Sequence, residues 1–131
     1  MPIEISLLAA AVVLGVVHIV AASASGLQQR GGLAWAASNR EAQPGPMQGA
    51  AGRLERASKN FFETFPLFAA LVLAAAATGR FDATTALGAH LYVWARLAYL
   101  PIYGFGVPMV RTPVWGVAMV GIGFVLVGLV L

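Results

Sequence analysis

Residues 114–131 read VWGVAMVGIGFVLVGLVL and contain no charged side chain. An uninterrupted apolar run of about 18 residues or more, rising about 1.5 Å per residue as a helix, spans a hydrocarbon layer roughly 30 Å thick. The run therefore reads as a transmembrane helix over about 113–131. Immediately before it, Gly104, Gly106 and Pro108 mark a bend. Upstream again, residues 83–103 form a second span carrying His90 and Arg96. Residues 53–78 begin with a helix-period pattern at Arg53 and become continuously apolar from 65 to 77 before Thr78, Gly79, Arg80 and Asp82. Residues 3–26 complete the set, apolar apart from Glu4, Ser6, His18, Ser23 and Ser25. Between the first two spans, Gly31, Gly32, Asn39, Arg40, Glu41, Pro44, Gly45, Pro46 and Gly49 read as a loop, with Trp35 as an interfacial anchor.

Composition agrees. Of 131 residues, 60% are hydrophobic and only 10% charged, against roughly 25% charged in a soluble domain; mean hydropathy is +0.82. Four spans with short connections use the whole length, so the expectation is one all-α domain over residues 1–131, an integral membrane four-helix bundle. The absence of cysteine excludes disulfides, thiolate metal sites and a cysteine nucleophile. The net charge of +3 rests on only eight Lys and Arg residues, several near membrane ends, so topology rather than nucleic-acid binding accounts for them. Residues 1–6 hold Glu4 and no basic residue, lacking the positive region of a cleavable signal peptide, so the first helix is read as retained.

The basic residues also orient the chain. Arg30, Arg40, Arg53, Arg56, Lys59 and Arg111 lie in or beside the connections between spans one and two and between spans three and four, whereas only Arg80 marks the opposite ends. The positive-inside rule then makes the former connections cytoplasmic and both termini external, periplasmic in a bacterial inner membrane.

Ionisable groups inside spans are costly and are functional hypotheses by default. Arg56, Asn60 and Glu63 follow i, i+4, i+7 spacing, one narrow stripe of a helix, flanked by Arg53 and Lys59. Tyr92, Arg96, Tyr99 and Tyr103 form a second stripe on span three. Both fall toward the cytoplasmic side, so facing helices present a polar crevice there. A purely architectural account stays open: Glu63 pairing with Lys59 or Arg96, Asn60 bonding across helices, and basic side chains snorkelling. His18 and His90 have no carboxylate or His at helical ligand spacing, so no metal site is expected. Gly116 with Gly123, and Gly121 with Gly128, repeat at seven residues and would admit a close helix neighbour.

RASKNFFETFPLF at 56–68 and WARLAYLPIY at 94–103 resemble the MAPEG family, the membrane-associated proteins in eicosanoid and glutathione metabolism. The similarity runs nearly the whole chain, densest at Arg56, Ala57, Asn60, Glu63, Pro66, Phe68, Arg96, Tyr99 and Tyr103, with Arg111 following. It implies a homotrimer of four-helix bundles among membrane lipids, with glutathione held between neighbouring subunits near the cytoplasmic face and a lipophilic small molecule as the second substrate. Carried over by residue, it implies glutathione contacts at Arg56, Asn60 and Glu63 on helix two, Arg96, Tyr99 and Tyr103 on helix three, and Arg30 at the end of helix one. Arg111 resembles the arginine that in some members stabilises the thiolate, as a neighbouring cation should. Gly104, Gly106, Pro108 and Pro113 around Arg111 leave a place in the bend open as well. Thr64 departs from the pattern, since a tyrosine often stands there in the eicosanoid enzymes.

Three functions follow in order: a glutathione-dependent transferase or peroxidase acting on lipophilic electrophiles; a non-catalytic lipid-binding or lipid-presenting protein of the same fold; and a small multidrug transporter, disfavoured because that class keeps its glutamate in helix one. The orientation is testable directly. A Gly45→Cys variant should react with an impermeant maleimide only from the cytoplasmic side, and Arg80→Cys only from outside; labelling of position 45 from outside would refute the topology.

Overall fold

The computed structural model describes residues 1–42 and 45–131. Those residues form helices α1 (Ile3–Arg30), α2 (Gly32–Ala37), α3 (Gly49–Thr78), α4 (Ala83–Gly104) and α5 (Arg111–Val130), with no strand among them. The long helices run up and down. At one end Glu4 of α1, Thr85 of α4 and Gly128 of α5 meet; at the other, Arg56 of α3 meets Tyr103 of α4. α3 and α4 each pack against all the other long helices, while α1 and α5 sit at opposite corners without touching.

Local chemistry sets the boundaries. Asp82 caps α4 with a reciprocal box: the Thr85 amide donates to Asp82 Oδ1 at 2.9 Å and the Asp82 amide to Thr85 Oγ1 at 2.8 Å. α3 ends at Gly79, whose φ of 66° lets Arg80 N–H reach back to the Ala75 carbonyl at 2.8 Å. α1 continues past Gly26 to Arg30, and α3 starts at Gly49 rather than Arg53. The connection expected to be plain loop includes α2, whose sequence GLAWAA is a good helix former once Gly31, at φ 120°, has turned the chain. Trp35 Nε1 donates to the Ala42 carbonyl at 2.9 Å, tying that helix to the loop beyond it. Pro44 lies outside the described residues.

α1, α3 and α5 are long and apolar enough to cross a membrane. α4, expected as a span, is not among them, because Thr84, Thr85, His90 and Arg96 dilute its apolar content. Its polar side chains largely turn inward: Thr85 and Arg96 are fully buried. Thr85 Oγ1 donates to the buried Glu4 carboxylate at 2.6 Å, a tie from α1 to α4 at the capped end.

Lipid is as apolar as leucine, so helices in it associate through close packing and hydrogen bonds. Both are present here. Phe68 stacks on Tyr92 with ring centroids 4.2 Å apart, and the Tyr92 and Thr64 hydroxyls are 3.0 Å apart in the same buried layer. The two glycine repeats of α5 divide: a Cβ at Gly121 would stand 2.6 Å from the Gly88 carbonyl oxygen, and one at Gly128 would strike Thr85, whereas Gly116 and Gly123 face open space. Only the 121/128 pair lies against α4, where the two backbones touch. Gly121→Val should therefore lower the unfolding temperature in detergent sharply, overpacking costing about 1–3 kcal/mol or more where backbone cannot yield, while Gly116→Ala should leave it nearly unchanged. Equal responses would contradict this packing.

Candidate functional site

The up-and-down course places the first half of α3, the end of α4 and the start of α5 at the same end of the bundle. The i, i+4, i+7 stripe of α3 turns Arg56, Asn60 and Glu63, with Lys59 beside them, onto one side of a recess of about 440 Å³. Tyr99 and Tyr103 of α4 supply its floor, and Arg111, Thr112 and Trp115 of α5 close the far side. The volume lies within the range of about 300–1,000 Å³ usual for small-ligand sites. An adjoining recess of about 480 Å³ shares Arg56, Tyr103 and Arg111 and extends along the 106–109 bend.

Cation and ring contacts hold the walls. Arg56 Nε donates to the Tyr103 hydroxyl oxygen at 3.0 Å. Arg111 of α5 stands over the same Tyr103 ring, 4.7 Å from its centroid. The bend therefore aims this arginine at the recess, even though Gly106 and Met109 adopt positive φ within it. Arg53 Nε caps the end of α4 by donating to the Gly104 carbonyl at 3.1 Å, a cation at a helix C-terminus where the dipole favours one. Glu63 is exposed at the rim and has no ion-pair partner among the described residues, so neither Lys59 nor Arg96 neutralises it.

Two expected residues lie elsewhere. Arg96 is completely buried behind the recess: its Nη1 donates to Asn60 Oδ1 at 2.7 Å, and its guanidinium lies 4.2 Å from the Tyr99 ring centroid and 5.4 Å from that of Phe61. Phe61 is backed in turn by the buried His18 ring of α1, 4.9 Å away. Arg30 is outside the recess, 3.4 Å from Glu55 in an ion pair near the surface, because α1 is packed beside α3 and α4 and away from α5. Conversely, Thr112 and Trp115 line the recess although they stand at the start of a span expected to be purely apolar. The i, i+4 spacing of Arg111 and Trp115 was the available signal, since it places both on one helix face.

The model of the MAPEG family matches residues 6–131. The chain belongs to the MAPEG family. No curated protein matches it. With three helices of membrane-crossing length and composition, it is a multi-pass α-helical membrane protein of that family, and of the residues that carried the resemblance Arg56, Asn60, Glu63, Tyr99, Tyr103 and Arg111 meet at the recess.

Arg56, Lys59 and Arg111 against Glu63 leave the recess with an excess of positive charge beside Trp115. A cleft of one sign concentrates small ions of the other. In a Trp35→Phe/Trp94→Phe background, the ratio of iodide to caesium quenching of Trp115 emission should therefore exceed that of free tryptophan, and Lys59→Ala with Arg111→Ala should bring it down toward the free value. A ratio below the free value would show that Glu63 dominates the field.

Proposed function

We propose that the chain is a membrane-bound glutathione-dependent transferase or peroxidase acting on small lipophilic electrophiles, with the α3/α4/α5 recess as its glutathione site. The observation that carries this reading is the convergence of Arg56, Asn60, Glu63, Tyr99, Tyr103 and Arg111 on one recess. Glutathione brings two carboxylates and one ammonium, and the wall offers Arg56, Lys59 and Arg111 against Glu63. Charge-assisted bonds of this kind are shorter and roughly twice as strong as neutral ones. Arg111 is assigned to the sulfur on the family resemblance, and it lines the same recess from α5; a cation there favours the thiolate. In the transferase reaction the thiolate sulfur bonds to the electrophilic carbon as the leaving group departs with the bonding pair. The protein's part is to position the thiolate and stabilise its charge.

α4 is read as the fourth span, since its 22 residues reach about 33 Å and its one full charge is buried. Both termini then face the periplasm of a bacterial inner membrane. A homotrimer fits the open side of the recess, where Glu63 and Arg56 are exposed and a neighbour would exclude lipid. It also gives Arg30 a role: lying outside its own chain's recess, it reaches a ligand only at a subunit boundary.

Glutathione should raise the unfolding temperature, because a ligand that binds only the folded state stabilises it by mass action. Arg56→Ala should abolish that shift with the trimer intact. Bound thiolate should be visible by ultraviolet difference absorbance at neutral pH and should vanish in Arg111→Ala together with conjugation of an aromatic electrophile. Binding without thiolate or turnover would leave a lipid-binding or lipid-presenting protein; an Arg56→Ala variant that unfolds, with no stabilisation of wild type, would leave the stripe as architecture alone.

A further inference from the structure

An amide side chain offers a donor at one end and an acceptor at the other, and which end faces a ligand decides what that ligand must be. Asn60 has no such choice. Its neighbour behind the recess is Arg96, whose guanidinium carries donors and no acceptor. The contact is Arg96 Nη1 to Asn60 Oδ1 at 2.7 Å, so the amide oxygen is the atom engaged and the nitrogen is the end left over. Turning the amide round would set its N–H groups against a buried cation. Arg96 has nowhere else to go either: it is wholly buried between the Tyr99 and Phe61 rings, and its Nε and Nη2 have no partner among the described residues. Asn60 Oδ1 is the acceptor that this cation has.

Resting on the reading of the recess as a glutathione site, we propose that Arg96 is a positioning residue that locks the Asn60 amide with its nitrogen toward the recess. That part of the wall then selects a carboxylate or carbonyl oxygen on the ligand and rejects an amide N–H. Tyr103 is held in the same way. Because its hydroxyl oxygen accepts from Arg56 Nε, its own proton points away from that arginine. Two groups able to play either part are thus held as donors, and with Arg56, Lys59 and Arg111 they leave Glu63 as the one carboxylate among the lining residues. The recess is built for a ligand that is mostly acceptor with a single cationic donor.

The test uses the full-length protein in detergent with two readouts. The first needs no ligand. Asn60→Asp keeps an oxygen against Arg96 and adds a charge, so its unfolding temperature should equal or exceed that of wild type, whereas Asn60→Leu strips a buried cation of its acceptor and should lower it by several degrees. The second compares binding of glutathione with that of its two monoamides, in which one or other carboxylate is a carboxamide. Wild type should prefer glutathione. Asn60→Asp should weaken glutathione about tenfold, the loss of one charge-assisted bond, and recover one of the monoamides. Arg96→Met, which frees the amide to turn, should narrow the preference. A merely structural Arg96 would alter stability without narrowing the preference. An Asn60→Asp variant that is as unstable as Asn60→Leu, or that weakens glutathione and both monoamides alike, overturns the proposal. If wild type binds none of the three, the glutathione reading falls, and the stability of Asn60→Asp against Asn60→Leu decides the lock by itself.

Discussion

A guanidinium with no exposed surface lies inside this bundle, and much of the structure is arranged around it. Removing a cation from water costs several kcal/mol even after relaxation. Here a charge-assisted hydrogen bond to Asn60, about 1.5–3 kcal/mol, and the faces of Tyr99 and Phe61, about 2 kcal/mol each where desolvated, offset that cost. The partners come from two helices, and Phe61 rests in turn on His18 of a third. Arg96 therefore couples α1, α3 and α4 at one depth, and Asn60 and Tyr99, which face the recess on their other sides, inherit their positions from it.

The opposite end of the bundle is closed by a different polar tie. Glu4, Thr85 and the Asp82 cap join α1 to the start of α4, and Gly128 of α5 packs onto the same threonine. Between the two ends, Gly88 and Gly121 let the backbones of α4 and α5 touch. Toward Arg111, α3, α4 and α5 line the recess. One end is thus fastened by hydrogen bonds and glycine contacts, and the other carries the recess with Arg56, Lys59 and Arg111 on its walls.

The family was legible in the sequence, because helical period places Arg56, Asn60 and Glu63 on one stripe whatever surrounds them, and the motif that holds them matches over almost the whole chain. Other features were legible only as alternatives. Nothing in the spacing of Asn60 and Arg96, which are 36 residues apart, says that they bond to each other. Nothing local distinguishes Gly121 from Gly116, since both stand in an apolar run and only the position of α4 makes one of them a contact. Arg30 shows the reverse: the resemblance assigned it to the ligand, and the packing of α1 away from α5 puts it beside Glu55 in its own chain.

By itself the sequence determined what depends on short-range periodicity and solvent preference: the four long helices though not α2, the polar stripes and the punctuation at Gly79, Asp82 and Gly106. Tertiary structure alone decided which stripes face one another, that Arg111 turns from the 105–110 bend into the recess with Thr112 and Trp115 beside it, that Glu4 is buried against Thr85, and which end of the Asn60 amide is free. The physical reason is that a helix fixes directions about its own axis, while the rotation and depth of one helix against the next come from contacts between residues far apart in the chain.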